Sequence, residues 1–241
     1  MSRPDYLNMK ADEPKAVAQT LDASVDHISQ SEISTDGRKV LRNTYMLLSM
    51  TLLFSAAVAG VSMALNLPHP GMIITLVGYF GLLFLVHKTK ESAFGIVSVF
   101  ALTGFMGYTL GPILSAYASI PGGTSMIAMA LGTTGLIFFG MSGWVLSTGK
   151  DLSGWGKSLM VGIILAFILS LGAFFFELPA LSLAVSGLFV ILMSGLIAYE
   201  TSSILHGGET NYIMATVSLY VALYNLFISL LQIFGVLGSD D

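Results

Sequence analysis

Apolar and polar positions are segregated along this chain rather than interleaved. Behind a polar stretch, residues 1–43, come seven long apolar runs with short polar breaks: Tyr45–Leu65, Pro70–Val86, Ala93–Leu114, Ser125–Ser147, Ser158–Phe176, Pro179–Ile204 and Tyr212–Leu237. Crossing roughly 30 Å of hydrocarbon at about 1.5 Å per residue takes about 20 residues, and these runs supply them. The pattern predicts an all-α fold: a polytopic membrane protein with seven transmembrane helices. Residues 1–43 form a polar N-terminal tail, 44–238 the helical domain and 239–241 a short end. Composition agrees, since 54% of the 241 residues are hydrophobic and 10% are charged. A soluble domain of this length could not hide so much apolar side chain.

Charge then orients the bundle. Of the ten Lys and Arg residues, six precede the first run (Arg3, Lys10, Lys15, Arg38, Lys39, Arg42), two lie between the second and third (Lys88, Lys90), and two between the fourth and fifth (Lys150, Lys157). The alternate connections 66–69, 117–124 and 177–178 hold none. The positive-inside rule therefore predicts a cytoplasmic N-terminus and, with an odd number of spans, a C-terminus outside. The first apolar run begins too far from the start for a cleavable signal peptide, so it is expected to be retained as a span. The absence of cysteine excludes disulfides and thiol chemistry, and a net charge of −4 without a basic cluster argues against nucleic acid as a partner. In the tail, Val17, Leu21, Val25 and Ile28 recur at helical spacing, either as a marginal leader or as a weak docking helix.

Candidate chemistry is sparse. Ionisable groups within spans are costly and so become the functional candidates; Glu200, one turn from the end of the sixth run, is the best of them, with a carboxylate that reaches the interface as the rival reading. Glu177 reads as a solvated turn residue. His206, Glu209 and Asn211 cluster in the Gly-Gly connection between the last two runs, with too few ligands for a convincing metal site. Asn225, Ser229 and Gln232 share one face of the seventh run, which should point inward, as hydrogen-bonding glue or as a wet path, and make that helix central. Gly111-Pro112 predicts a helix break in the third run. Ala56, Ala57, Ala59 and Gly60, then Gly104 and Gly107, then Gly132, Gly135, Gly140 and Gly143 are expected to permit close helix packing, and Trp144 to anchor at the interface. Gly140-Met141-Ser142-Gly143 matches the GxSG pattern of intramembrane serine proteases, but a nucleophile needs a base and an oxyanion hole. No catalytic residue and no cofactor is predicted.

Three motifs in order, Thr103-Gly104-Phe105-Met106-Gly107-Tyr108-Thr109-Leu110-Gly111-Pro112, Ala198-Tyr199-Glu200-Thr201, and Leu219-Tyr220 through Asn225-Leu226-Phe227 to Leu231-Gln232-Ile233-Phe234-Gly235, resemble the Bax inhibitor-1 family of seven-helix membrane proteins. The resemblance covers about residues 38–238. Lys39 to Tyr45, Leu178-Pro179-Ala180-Leu181 and His206 to Tyr212 make the chain most similar to a bacterial branch of that family. That branch implies an inner-membrane protein that binds and modulates the membrane-anchored AAA protease FtsH, and is itself its substrate. Other members imply a pH-sensitive calcium leak gated by two aspartates on the sixth and seventh helices. Here the first matches Glu200, Ala222 occupies the second, and a family Glu on the second helix falls at Gly78. The expected function is therefore FtsH modulation, with the tail gripped and the bundle slowly extracted; removing residues 1–37 should then stabilise the protein in cells. The alternative is a calcium or ion leak built on Glu200 and the polar face of the seventh helix, with Asn225, His206 and Glu209 as further ion- or proton-sensing candidates.

Overall fold

The computed structural model describes residues 36–238, and the tail helix foreseen around Val17 to Ile28 lies outside the described residues. Those residues form seven long helices and no strand: α1 Asp36–Ala64, α2 Met72–Thr89, α3 Phe94–Ala118, α4 Gly123–Thr148, α5 Gly156–Phe175, α6 Pro179–Leu205 and α7 Tyr212–Leu237. Each is long and apolar enough to cross a membrane. Lipid supplies no hydrogen-bond partner to exposed backbone, so a spanning run closes its own N–H and C=O groups as a helix. The chain is an all-α membrane protein of seven spans.

Most ends lie within a few residues of where the apolar runs stop. The exception is α1, which is already helical at Asp36, the first described residue, well before Tyr45. Its first turn is polar, yet Gly37 is buried against the end of α6; a Cβ there would come within 2.9 Å of the Ile204 carbonyl and 3.0 Å of that of Leu205. Packing carries this helix past its apolar stretch. The turns use expected chemistry: Pro179 opens α6, where its missing N–H costs nothing, and Gly149 closes α4 at φ 61°, its N–H reaching the Val145 carbonyl at 2.8 Å. Glu177 is an exposed turn residue with φ 51°.

The break foreseen at Gly111-Pro112 does not occur, because α3 runs through Pro112 to Ala118. Proline removes a single donor, the one that would have served the Tyr108 carbonyl four residues back. That carbonyl instead accepts from Ser62 Oγ of α1 at 3.1 Å. Gly111 makes this possible, since a Cβ would collide with the Ser62 side chain, and Gly107 likewise lies on the Ser55 carbonyl. Close packing by small residues thus holds for Ala59, Gly104, Gly107 and Gly111 along the α1–α3 seam. It does not hold for Gly132, Gly135, Gly140 and Gly143 of α4, nor for Gly60, where a Cβ would meet nothing within 4 Å; these positions look away from the neighbouring helices.

At the centre stands α7, packed against α2, α3, α4 and α6 and hydrogen-bonded to α1. Leu219, Tyr220, Ala222, Leu226 and Leu231 are among its most deeply buried side chains.

Candidate functional site

The α6–α7 pair, which carries most of the candidate residues, forms an extended contact. Glu200 is half-buried on α6, and its Oε1 accepts a hydrogen bond from Ser218 Oγ of α7 at 2.6 Å. Ser218 was not among the candidate residues. It lies one heptad before Asn225, on the same stripe that continues to Ser229 and Gln232, so extending that face backward would have found it. Ala222, one turn beyond Ser218, is fully buried and carries no ionisable group. Gly78 leaves no vacant place either, because a Cβ there would run into the Phe105 ring. Glu200 therefore has a hydroxyl partner where the resemblance implied a second carboxylate.

Of the rest of the α7 stripe, Gln232 ties α7 to α6. Gln232 Nε2 donates to Ser182 Oγ at 2.6 Å, its Oε1 accepts from Ser186 Oγ at 2.8 Å, Asn225 Nδ2 donates to its own helix at the Val221 carbonyl, and Ser229 is buried. Tyrosines tie α7 to α1 and α3. Tyr220 donates to the Thr103 carbonyl at 3.3 Å, so the proton in its 2.5 Å contact with Ser55 Oγ comes from the serine. Thr109 spends its proton on the Met106 carbonyl and accepts from Tyr224.

Ser142 belongs to a similar knot. Thr201 Oγ1 donates to the Ile197 carbonyl at 2.8 Å, leaving its lone pairs for the hydroxyls of Ser142 at 3.2 Å and Tyr45 at 3.3 Å. The buried Ser142 thus ties α4 to α6, while His206 binds elsewhere, its Nδ1 meeting the Ser202 carbonyl at 2.9 Å. The serine hydroxyl within reach of the His206 ring is that of Ser202, at 3.4 Å, and the contacts of Ser142 give it no base.

The α6–α7 turn, residues 206–211, joins the other connections on its side of the bundle. Asn211 caps α7, its Oδ1 accepting from the N–H groups of Ile213 and Met214, while its Nδ2 donates to the Lys90 carbonyl and to Glu91 Oε1, both at 3.1 Å. Glu209 Oε1 accepts from the Asn211 N–H at 2.7 Å, so it orients the cap. At the end of α6, Ser202 Oγ donates to the Lys150 carbonyl at 3.0 Å and accepts from the Leu152 N–H at 2.8 Å. With Gly37 pressed on Leu205, one end of the bundle gathers α1, the α2–α3 turn and the α4–α5 connection around α6 and α7. This end carries every described Lys and Arg: Arg38, Lys39, Arg42, Lys88, Lys90, Lys150 and Lys157. Asp151 there holds its carboxyl below the usual aspartate range, first because the Ser153 N–H donates to it and also because His206 is near. Among the described residues, no group of three His, Cys, Asp or Glu side chains is placed to hold a metal ion.

Seven spans around a hydroxyl-tied central helix, with cations at one end, define an integral membrane bundle. The chain belongs to the Bax inhibitor-1 family: the family model described as "Inhibitor of apoptosis-promoting Bax1" matches residues 37–239. It is 55% identical over 217 residues to the "Modulator of FtsH protease YccA" of Escherichia coli K12, covering 90% of this chain and 98% of that protein. The counterpart in another E. coli strain, equally similar, is named "Inner membrane protein YccA". An uncharacterized protein of Pseudomonas aeruginosa is 54% identical over 202 residues (84% of this chain, 91% of that one), and an uncharacterized membrane protein of Vibrio cholerae is 40% identical over 214 residues (88% and 96%). These relatives are named as a modulator or as uncharacterized or membrane proteins, and none of these names is that of an enzyme.

Proposed function

We propose that this chain is a bacterial inner-membrane protein that binds and modulates the FtsH protease, which grips its N-terminal tail and extracts the bundle slowly. The observation that carries this reading is the 55% identity, along nearly the whole of both chains, to a protein named as a modulator of FtsH. The fold supplies a physical reason for slow extraction. A pull on the tail loads α1 first, and α1 is itself tied to three other spans. Tyr45 meets α6, Ser55 and the Thr44 carbonyl meet α7, and Ser62 meets α3. Each span drawn from lipid also gives up about 20 apolar residues' worth of burial. A substrate that is simple to seize and slow to withdraw occupies the protease and spares other membrane clients.

Because α1 is described from Asp36, the test is removal of residues 2–35, which keeps every described residue of the helices. Turnover in cells with active FtsH should slow several-fold, while FtsH still co-purifies with the truncated chain. Equal decay of both forms rejects the tail as the handle, and loss of co-purification from the full-length chain rejects the partner. The calcium-leak alternative rests on Glu200 with Ser218. Calcium entry into dye-loaded liposomes that disappears in Glu200→Gln would support it.

A further inference from the structure

Both tryptophans of the chain, Trp144 and Trp155, flank the α4–α5 connection, and both are well exposed, at 39% and 49%. Indole rings favour the headgroup level of a bilayer, where an apolar body and one N–H donor are both accommodated. Two lysines share the place. Lys150 Nζ stands 5.6 Å from the centroid of the Trp144 ring, and Lys157 is exposed in the first turn of α5. Among the described residues neither has a carboxylate within salt-bridge distance, and the one ion pair is Lys39–Asp36. The only acid in the connection, Asp151, is turned to the Ser153 N–H at 2.9 Å. The segment is held in shape. Leu152 is buried, and Ser202 of α6 clasps the backbone at Lys150 and Leu152. The end of α2 and the α2–α3 turn carry two lysines, Lys88 and Lys90, but no tryptophan.

We propose that the α4–α5 connection is a binding site for the phosphate headgroup of an anionic phospholipid, with Lys150 and Lys157 as the cations and Trp144 and Trp155 as flanking rings seated among the glycerol and upper acyl groups. Charge complementarity selects this occupant: two uncompensated ammonium groups on a fixed backbone match a phosphodiester, and the exposed rings match the boundary where that phosphodiester lies. A zwitterionic lipid carries its own cation and gains less.

The two tryptophans are also the reporters. The full-length chain would be reconstituted into phosphatidylcholine vesicles in which an equal mole fraction of either phosphatidylglycerol or phosphatidylcholine carries brominated acyl chains, and quenching of tryptophan emission compared. The expected relative quenching constant favours brominated phosphatidylglycerol about fivefold. It should fall to near parity in the Lys150→Gln/Lys157→Gln variant and persist in Lys88→Gln/Lys90→Gln. Should the first variant fail to fold, raising the salt of the wild-type sample to about 1 M, where the Debye length is about 3 Å, must shrink the preference instead. Equal quenching by both lipids in the wild type, or a preference that survives both the lysine substitutions and salt, overturns the proposal. So does weak quenching by either lipid, the result for rings covered by protein or by a second copy.

Discussion

Two helices of this bundle invert the rule that holds in soluble proteins. The span Ser153–Phe175, which contains α5, is the most apolar, with a mean hydropathy of 2.5, and only 17% of its apolar stretch is buried; α7 reaches 1.8 and is half buried. In water the more apolar element goes inside, but lipid tails are as apolar as leucine and give it no such drive. What distinguishes α7 is its hydroxyls and amides, each of which needs a partner that lipid cannot offer. Tyr220, Tyr224, Ser218 and Gln232 find theirs on α1, α3 and α6, and these bonds hold α7 in the middle. The α1–α3 seam adds close backbone approach, which also requires nothing of hydropathy.

The sharpest way to break this comparison uses one substitution in two places. Gly107→Ala puts a Cβ onto the Ser55 backbone carbonyl, which cannot yield as a flexible side chain would, and should destabilise the folded bundle by about 3 kcal/mol. Gly140→Ala enters open space and should change stability by no more than about 0.5 kcal/mol. Apparent melting of detergent-purified protein measures both, and equal effects would refute the assigned seam. Ser62→Ala should cost about 1 kcal/mol by orphaning the Tyr108 carbonyl. The same change made in a Pro112→Ala background, where the helix regains its own donor, should cost clearly less, and a double-mutant cycle without coupling would remove that account. Gln232→Leu makes α7 more apolar yet should weaken its union with α6 by about 0.6 to 1 kcal/mol; unchanged melting would show that hydropathy compensates. Smallest is a pH effect at the rim. The Asp151 carboxyl lies below its ordinary value, so its bond to the Ser153 N–H contributes fully above the unfolded aspartate pKa and is lost as pH falls through the lowered folded one. Wild type and Asp151→Asn should therefore differ slightly at neutral pH and converge in acid.

Seven spans were legible because lipid demands helices of a certain length, and six of them begin and end close to the apolar runs. The early start of α1 was not, since apolar counting ends at Tyr45 while the burial of Gly37 under Leu205 is a long-range contact. Glu200 stood out as a carboxylate in an apolar run. Its partner Ser218 did not, because a single hydroxyl in a span is ordinary until the heptad from Asn225 is traced back. Gly111 and Pro112 were rightly seen as special, yet the sequence could not show that Ser62, far away in the chain, supplies the missing bond. The α4 glycines had the same composition as the seam glycines and the opposite placement, which only packing decides.

The proposed role requires the cationic end, to which the tail is joined, to face the cytoplasm where the tail can be seized. The chain has no cysteine, so a single one can be introduced without background. In spheroplasts treated with a membrane-impermeant maleimide, Ser119→Cys at the α3–α4 turn should label at once, and Ser92→Cys at the α2–α3 turn only after the membrane is opened. Immediate labelling of Ser92→Cys with protection of Ser119→Cys would contradict the account.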